Sequence, residues 1–322
     1  MMELYIMQKN ETEFLWTEKY RPAKLDDIIL PSELKSQLKA FVAKGELPNL
    51  MFAGGAGIGK TTVARALCNE LNLDHIFINA SEESGIDVLR NKIKSFASTV
   101  SFSSSYKVVI LDEADHLNPT STQPALRGFI EEFSKNCRFI FTANFKNKII
   151  DPLHSRCTVV DFKFNRKTQM PELMGAFYKR ASAILDSESI TYDKKILATL
   201  IASAAPDWRK VLGNLQQHSI SGKLDGASIQ AGGAEDIDGL IKLLKARDFP
   251  AMRKWVGESL NNDPTEMIRK IYDGANKYCK KESIPQLILI LADYQYKNSF
   301  VADHELNIVA MLTEMMGNCE FN

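Results

Sequence analysis

The sequence predicts an α/β fold: a doubly wound parallel sheet followed by two all-helical regions. Three observations carry that expectation. Up to about residue 162, short apolar runs alternate with stretches of helical periodicity, the pattern of parallel strands joined by crossover helices. A glycine-rich turn, Gly54-Gly55-Ala56-Gly57-Ile58-Gly59-Lys60-Thr61-Thr62, separates one such strand from the helix after it. From about Asn165 onward, apolar residues recur mainly at helical spacing.

Taken in order, the strand candidates are Leu50 to Ala53, Ile76 to Asn79, Val108 to Leu111, Arg138 to Thr142 and Thr158 to Phe162. Runs that are apolar on both faces suit strands covered by helices on both sides. A three-helix lid is expected next. Thr168 precedes a run through Tyr178, a second run covers Lys194 to Ala204, and Pro206-Asp207 opens a third. Residues 221–236 are rich in Gly, Ser and small side chains and read as a joint. Beyond it, Pro264 to Cys279, Ile284 to Tyr296 and Ala302 to Met316 are amphipathic at helical spacing. The expected division is therefore 1–162, 163–225 and 226–322. No internal repeat is visible, and the serine cluster Ser101 to Ser105 reads as an exposed turn.

Composition narrows the class. With 322 residues the chain is long enough for two or three domains. Forty basic and forty acidic residues cancel, which argues against a uniformly basic DNA-coating protein and leaves room for a local basic strip. The N-terminus lacks a charged-then-apolar leader pattern, and runs such as Leu287 to Ala292 are too short to span a bilayer, so a cytoplasmic protein is expected. Five scattered cysteines indicate neither a disulfide framework nor a Cys-x-x-Cys zinc site.

The glycine-rich turn carries chemistry. Gly54 and Gly59 bracket four residues before Lys60-Thr61, so backbone N–H groups can curl around phosphates at the start of a helix. Lys60 can reach the β- and γ-phosphates, and the Thr61 hydroxyl is placed to ligate Mg²⁺. Thr62 is expected to open the helix. A second segment, Val108-Val109-Ile110-Leu111-Asp112-Glu113, is an apolar strand ending in two acids. Ligands bind at the carboxyl ends of such strands. Asp112 can hold Mg²⁺ through water, and Glu113 can orient or deprotonate an attacking water. ATP with Mg²⁺ is the expected cofactor pair.

Five segments then occur in a telling order: Glu18-Lys19-Tyr20-Arg21-Pro22, the phosphate loop, Asp112-Glu113-Ala114-Asp115, Thr142-Ala143-Asn144 and Ser155-Arg156-Cys157. Together they resemble the clamp-loader branch of the AAA+ ATPases, a group that includes replication factor C small subunits and the large subunits of T-even-type phage clamp loaders. The likeness spans most of the first 220 residues, and Ser-Arg-Cys is its most discriminating element. It implies an AAA+ nucleotide-binding domain, a helical lid and an all-α collar that holds subunits in a ring.

The resemblance also implies roles. Thr17, Glu18, Lys19, Tyr20 and Ile29 match the segment over adenine and ribose; Gly57, Ile58, Gly59, Lys60, Thr61 and Thr62 cradle the phosphates. Asn144 matches sensor 1, although an Asn at a strand end is also a common turn former. Arg209 matches sensor 2, a lid cation that feels the γ-phosphate. Arg156 matches an arginine finger given to the neighbouring subunit's nucleotide, so it counts with Glu113, Lys60 and Asn144 among the catalytic residues. Arg90, Lys92 and Lys94, in a helix opened by Ile86-Asp87, match a DNA-tracking surface. Relatives usually carry Arg where Ser84 stands, so that contact is missing from the pattern. Gln123 and Arg127 match a region that couples ATPase sites to DNA, and Arg127 can equally pair with Glu131 one turn on. Phe96 to Phe102 match a clamp-touching helix end, or are simply core.

The expected function is an ATPase subunit that opens a ring-shaped sliding clamp and places it on primer-template DNA. Its expected partners are that clamp, the DNA and the other subunits of a five-membered ring, with several copies of this chain beside a different subunit. Two alternatives stand: a DNA-dependent remodeller of recombination intermediates, and a nucleotide-binding scaffold without useful turnover.

Overall fold

The protein is described from a computed structural model over residues 13–83, 85–99, 101, 106–220, 222–224, 237–259 and 264–322. It divides into two compact units, residues 1–225 and 226–322.

The first unit is built on five parallel strands, β1 (Leu50–Ala53), β2 (His75–Asn79), β3 (Lys107–Asp112), β4 (Cys137–Ala143) and β5 (Thr158–Asp161), in the order β2-β3-β4-β1-β5. Consecutive apolar residues form the central strands β3, β4 and β1 because each face of the sheet has its own core there. Leu50, Phe52, Val108 and Ile110 pack with Val63 and Leu67 on one side; Met51, Val109 and Leu111 pack with Leu89 and Ile93 on the other. All of these are almost wholly buried, each worth about 1.5–3 kcal/mol of transfer free energy. The strand order matters for function. It sets the carboxyl ends of β1, β4 and β3 side by side, so the loops after Ala53, Ala143 and Asp112 meet at one crevice.

Around the sheet lie α1 (Trp16–Lys19), α2 (Ser32–Lys44), α3 (Lys60–Glu70), α4 (Ile86–Ala97), α5 (Thr122–Glu132) and α6 (Asp151–His154). Helix α3 begins at Lys60, two residues before the expected Thr62, because Gly59 takes the left-handed conformation (φ 98°) and turns the chain into the helix there. Three lid helices follow: α7 (Met170–Ser187), α8 (Lys194–Ala204) and α9 (Trp208–His218). The carboxylates of Asp193 and Asp207 cap α8 and α9, accepting from backbone N–H groups of the first turn. A two-residue parallel ribbon, β6 (Thr191–Tyr192) with β7 (Lys223–Leu224), was not expected from the sequence; it is too short to show a period.

Among the described residues of the second unit, the helices pack on one apolar core. They are α10 (Ile237–Ala246), α11 (Phe249–Ser259), α12 (Pro264–Asp273), α13 (Ala275–Tyr278), α14 (Ile284–Asn298) and α15 (His304–Asn318). An antiparallel bridge, Cys279 to Phe321, ties Phe321 to this core. Among the described residues no helix is long and apolar enough to cross a membrane.

Candidate active site

The crevice is walled on one side by Ala56 to Thr62, Asp112, Glu113, Thr142 and Asn144. Thr17, Tyr20, Arg21, Pro22, Ile28 and Ile29 of the N-terminal segment form a second wall, and Phe177, Arg180, Trp208, Arg209 and Leu212 of the lid form a third. The loop and strand ends supply most of the polar lining, and the other two walls supply Tyr20, Pro22, Ile28, Ile29, Phe177, Trp208 and Leu212 together with Arg21, Arg180 and Arg209, a mixture that suits a triphosphate joined to a base.

Lys60 is 7% exposed, and its Nζ donates to Gly54 O (2.8 Å), Gly55 O (2.5 Å) and Asn144 Oδ1 (2.8 Å). Burial pushes its pKa down to about 8, against the opposing pull of Asp112 and Asp115. Asp112 Oδ1 accepts from Thr61 Oγ1 and Thr142 Oγ1, both at 2.6 Å, and Thr142 Oγ1 accepts from Glu113 N at 3.0 Å. Glu113 itself sits at φ 55°, a conformation uncommon outside glycine and often found at active sites. The strand end and the phosphate loop are thus joined through hydroxyls and one carboxylate oxygen.

Two positioning roles were not read from the sequence, that of Asp115 and, beyond its expected place in the phosphate cradle, that of Gly57 toward the lid. Asp115, 6% exposed, accepts from Asn144 N through Oδ1 and from Phe145 N through Oδ2, each at 3.2 Å, and so fixes the turn that presents Asn144. Gly57 lies at φ +69°, and a Cβ built there meets Asp207 Oδ1 at 1.7 Å. The lid closes on this glycine: Trp208 N donates to Gly57 O at 3.1 Å.

Within the N-terminal segment, Thr17, Tyr20 and Ile29 line the crevice, whereas Glu18 and Lys19 are not among its lining residues. Glu18 is bound by Arg21, whose hydrogen bond holds the Glu18 carboxyl below its ordinary range. Lys19 pairs with Glu188 at 2.5 Å. Tyr20 hydroxyl meets Ser187 Oγ at 2.8 Å and also donates to Glu188; burial, then Glu188, pushes its pKa up to about 12. Arg21 reaches onward to Thr62 Oγ1 at 3.3 Å. A charged-aromatic loop betrays such bonds only if the lid residues that meet it are known, and those lie far along the chain.

Arg156 is not among the lining residues of this chain's own crevice. Its Nε and NH2 donate to Glu131 Oε1 at 2.9 and 2.5 Å, and NH1 donates to Pro152 O at 2.9 Å and Ser155 Oγ at 3.3 Å. Glu131 is therefore engaged by Arg156 through two guanidinium nitrogens, where the sequence equally allowed a pair with Arg127. Gln123, wholly buried, donates to Leu117 O and Lys148 O at 3.0 Å and accepts from Ile150 N at 2.9 Å, stapling α5 to the loop before α6.

On α4, Arg90, Lys92 and Lys94 are exposed and partnered by Asp87 (3.4 Å), Glu83 and Glu132 (3.9 Å) respectively. Phe96 packs partly buried on the core beneath, with Lys107 Nζ 4.7 Å from its ring centre, which is the core reading of that aromatic. Ser84, Val100 and Phe102 lie outside the described residues.

A phosphate loop, an acid pair at a strand end and a helical lid over an open parallel sheet define an ATPase of the AAA class. The model of the ATPase family associated with various cellular activities (AAA) matches residues 50–164. The sliding-clamp-loader large subunit of Enterobacteria phage T4 is 32% identical over 310 residues, covering 95% of this chain and 97% of that protein. The replication factor C small subunit of Sulfurisphaera tokodaii is 34% identical over 323 residues, covering 95% and 96%. The chain belongs to the family of clamp-loader AAA ATPases that these relatives represent. Among solved structures, the RuvB Holliday junction branch migration motor of Thermotoga maritima superposes with a TM-score of 0.54 at 19% identity, over 70% of this chain and 78% of that one, a likeness of fold alone.

Proposed function

We propose that this chain is an ATPase subunit of a sliding-clamp loader, coupling ATP binding and hydrolysis to the opening of a clamp and its placement on primer-template DNA. Similarity to clamp-loader subunits along nearly the whole chain is the observation that carries this reading. In it, the loop N–H groups and Lys60 hold the triphosphate, Glu113 activates water that Asn144 helps place, and Arg209 reports the γ-phosphate to the lid. The donor set fits Mg²⁺: the hard oxygens of Thr61 and Asp112 converge at 2.6 Å beside the loop. Bound there, Mg²⁺ would neutralise charge building on the phosphate oxygens.

Arg156, outside the crevice of its own chain, serves the nucleotide of a neighbour. The ring has five members, several of them copies of this chain, held through the residue 226–322 unit, and works in the cytoplasm. The first unit divides near residue 162 into nucleotide-binding base and lid. Arg90, Lys92, Lys94 and Arg127 face the DNA backbone, exchanging their carboxylate partners for phosphates.

Steady-state ATP hydrolysis by the chain, alone and co-assembled with its partner subunits, with and without clamp and primed DNA, tests the proposal; Glu113→Gln is the blank. Synergistic stimulation by clamp and primed DNA is expected. Stimulation by DNA that ignores the clamp would instead favour the remodeller.

A further inference from the structure

The base-facing half of the crevice is assembled from two pieces of chain that are distant in sequence. Tyr20, Ile28 and Ile29 come from the N-terminal segment; Phe177, Trp208 and Leu212 come from the lid. Phe177 and Trp208 stack on each other, with ring centres 4.6 Å apart and planes 14° apart. Beside the Tyr20 and Lys19 side-chain bonds to Ser187 and Glu188, a lid side chain ties down the backbone of the N-terminal piece. Arg180, on α7 one turn beyond Phe177, donates through NH2 to Tyr20 O at 2.6 Å and through NH1 to Asp27 O at 2.7 Å.

These two carbonyls mark the two ends of the stretch that positions the wall. Between them the chain leaves α1, passes Arg21 and Pro22, and makes a short 3₁₀ turn at Leu25–Asp27 before Ile28 and Ile29 enter the crevice. A planar guanidinium can bond both carbonyls at once, whereas a lysine ammonium on the same helix is a point donor that serves one well. The residues held are deeply placed: Tyr20 is 2% exposed, Leu25 0% and Ile28 4%. Slack between the two carbonyls would therefore move a packed wall.

We propose that Arg180 is a positioning residue for nucleotide recognition: by clamping Tyr20 O and Asp27 O to the lid it sets the shape of the base-facing wall, and with it the part of nucleotide affinity contributed by the base. The inference rests on the reading of the crevice as a nucleotide site. The phosphate loop follows β1 and is supported by Lys60, Thr61 and Asp112, none of which Arg180 needs to hold. Phosphate binding and base binding should therefore separate when Arg180 is changed.

The test is calorimetric titration of the full-length chain with ATP and with inorganic tripolyphosphate, for wild type, Arg180→Gln and Arg180→Lys. Suppose the clamped backbone falls to roughly a tenth of the population; apparent ATP affinity then falls about tenfold. Arg180→Gln should show that loss for ATP, with tripolyphosphate binding changed less than about twofold. Arg180→Lys should recover part of it, having one good donor for two carbonyls. Equal weakening of ATP and tripolyphosphate, or unchanged ATP binding, would overturn the assignment. If Arg180→Gln does not fold, the Lys variant carries the same comparison, with about threefold loss confined to ATP expected and no difference from wild type refuting it. A wild-type chain that binds neither ligand refutes the nucleotide reading itself rather than the role of Arg180.

Discussion

Asp115→Ala is the substitution whose cost the structure lets us work through. Its carboxylate is buried and is the acceptor for two backbone N–H groups, those of Asn144 and Phe145. Hydrogen bonds to a charged acceptor contribute about 1.5–3 kcal/mol each, and a donor left buried without one costs about 1–3 kcal/mol. Water entering the space left by the carboxylate offsets part of this, so about 3 kcal/mol is the expected loss. For a unit of this size, roughly 2–4 °C per kcal/mol makes a fall of about 6–12 °C in its melting temperature. Function should suffer separately, because the same turn holds the Asn144 oxygen against Lys60 Nζ. Displacement of such a group by about 1 Å costs about a hundredfold in rate. Asp115→Asn keeps one acceptor and turns an amide N–H toward the other donor, so it should lie between. Scanning calorimetry and ATP turnover in the assembled complex read the two effects. Asp115→Ala melting within about 2 °C of wild type with normal turnover would refute the argument.

Further outcomes are expected at three residues. Arg156→Ala should bind nucleotide nearly as wild type and lose about 10³ to 10⁵ in turnover of the assembled complex, and near-normal turnover would remove Arg156 from the chemistry. Lys60, with its pKa lowered to about 8, loses its ammonium as pH rises through that value; ATP binding restores it, so affinity should fall about tenfold per pH unit above about 8 with proton uptake, and a flat profile from about pH 7 to 9 would contradict this. The stability contribution has the opposite sense: between about 8 and 10.5 the unfolded chain keeps a proton that folded Lys60 has released, so stability from this group rises with pH there. Gly57→Ala puts a methyl 1.7 Å from Asp207 Oδ1 in a left-handed position, so lid closure and ATP affinity should both be lost, with calorimetric titration as the check.

What could be read from the sequence was what is local. Strands β1, β3 and β4 announce themselves because burial on both faces demands unbroken apolar runs, and their bounds differ from the expected ones by a residue or so. Lys60, Thr61, Asp112 and Glu113 were legible because their spacing within a loop or a strand end is itself the chemistry. Asp115 was part of a quoted motif, yet its role needs a partner 29 residues away across a neighbouring strand. Arg180 is 160 residues from Tyr20, and nothing in the helical spacing of α7 marks that position as different from an exposed arginine. Gly57 occupies a position that the phosphate-loop pattern leaves open; only the folded lid shows what stands beside it.

The same geometry bears on why such a chain should act in an assembly. Cations in and around the crevice are already divided by task. Arg180 is committed to two carbonyls and Arg21 to Glu18 and Thr62, which leaves Lys60 and Arg209 facing the phosphate end. Of these two, Lys60 is the one bound to the loops at the ends of β1 and β4, through Gly54 O, Gly55 O and Asn144 Oδ1, and its charge is weakened by burial. Arg209, an exposed residue in the first turn of lid helix α9, follows the lid rather than the sheet. A transition state that spreads charge over the γ-phosphate oxygens calls for a further fixed guanidinium. On the proposed reading that cation is a neighbour's Arg156, carried in the turn after the short helix α6 and oriented by Pro152, Ser155 and Glu131 in its own chain. Hydrolysis then requires that Arg156 leave Glu131, an exposed ion pair whose contribution to holding it is small, for a phosphate that attracts it far more strongly.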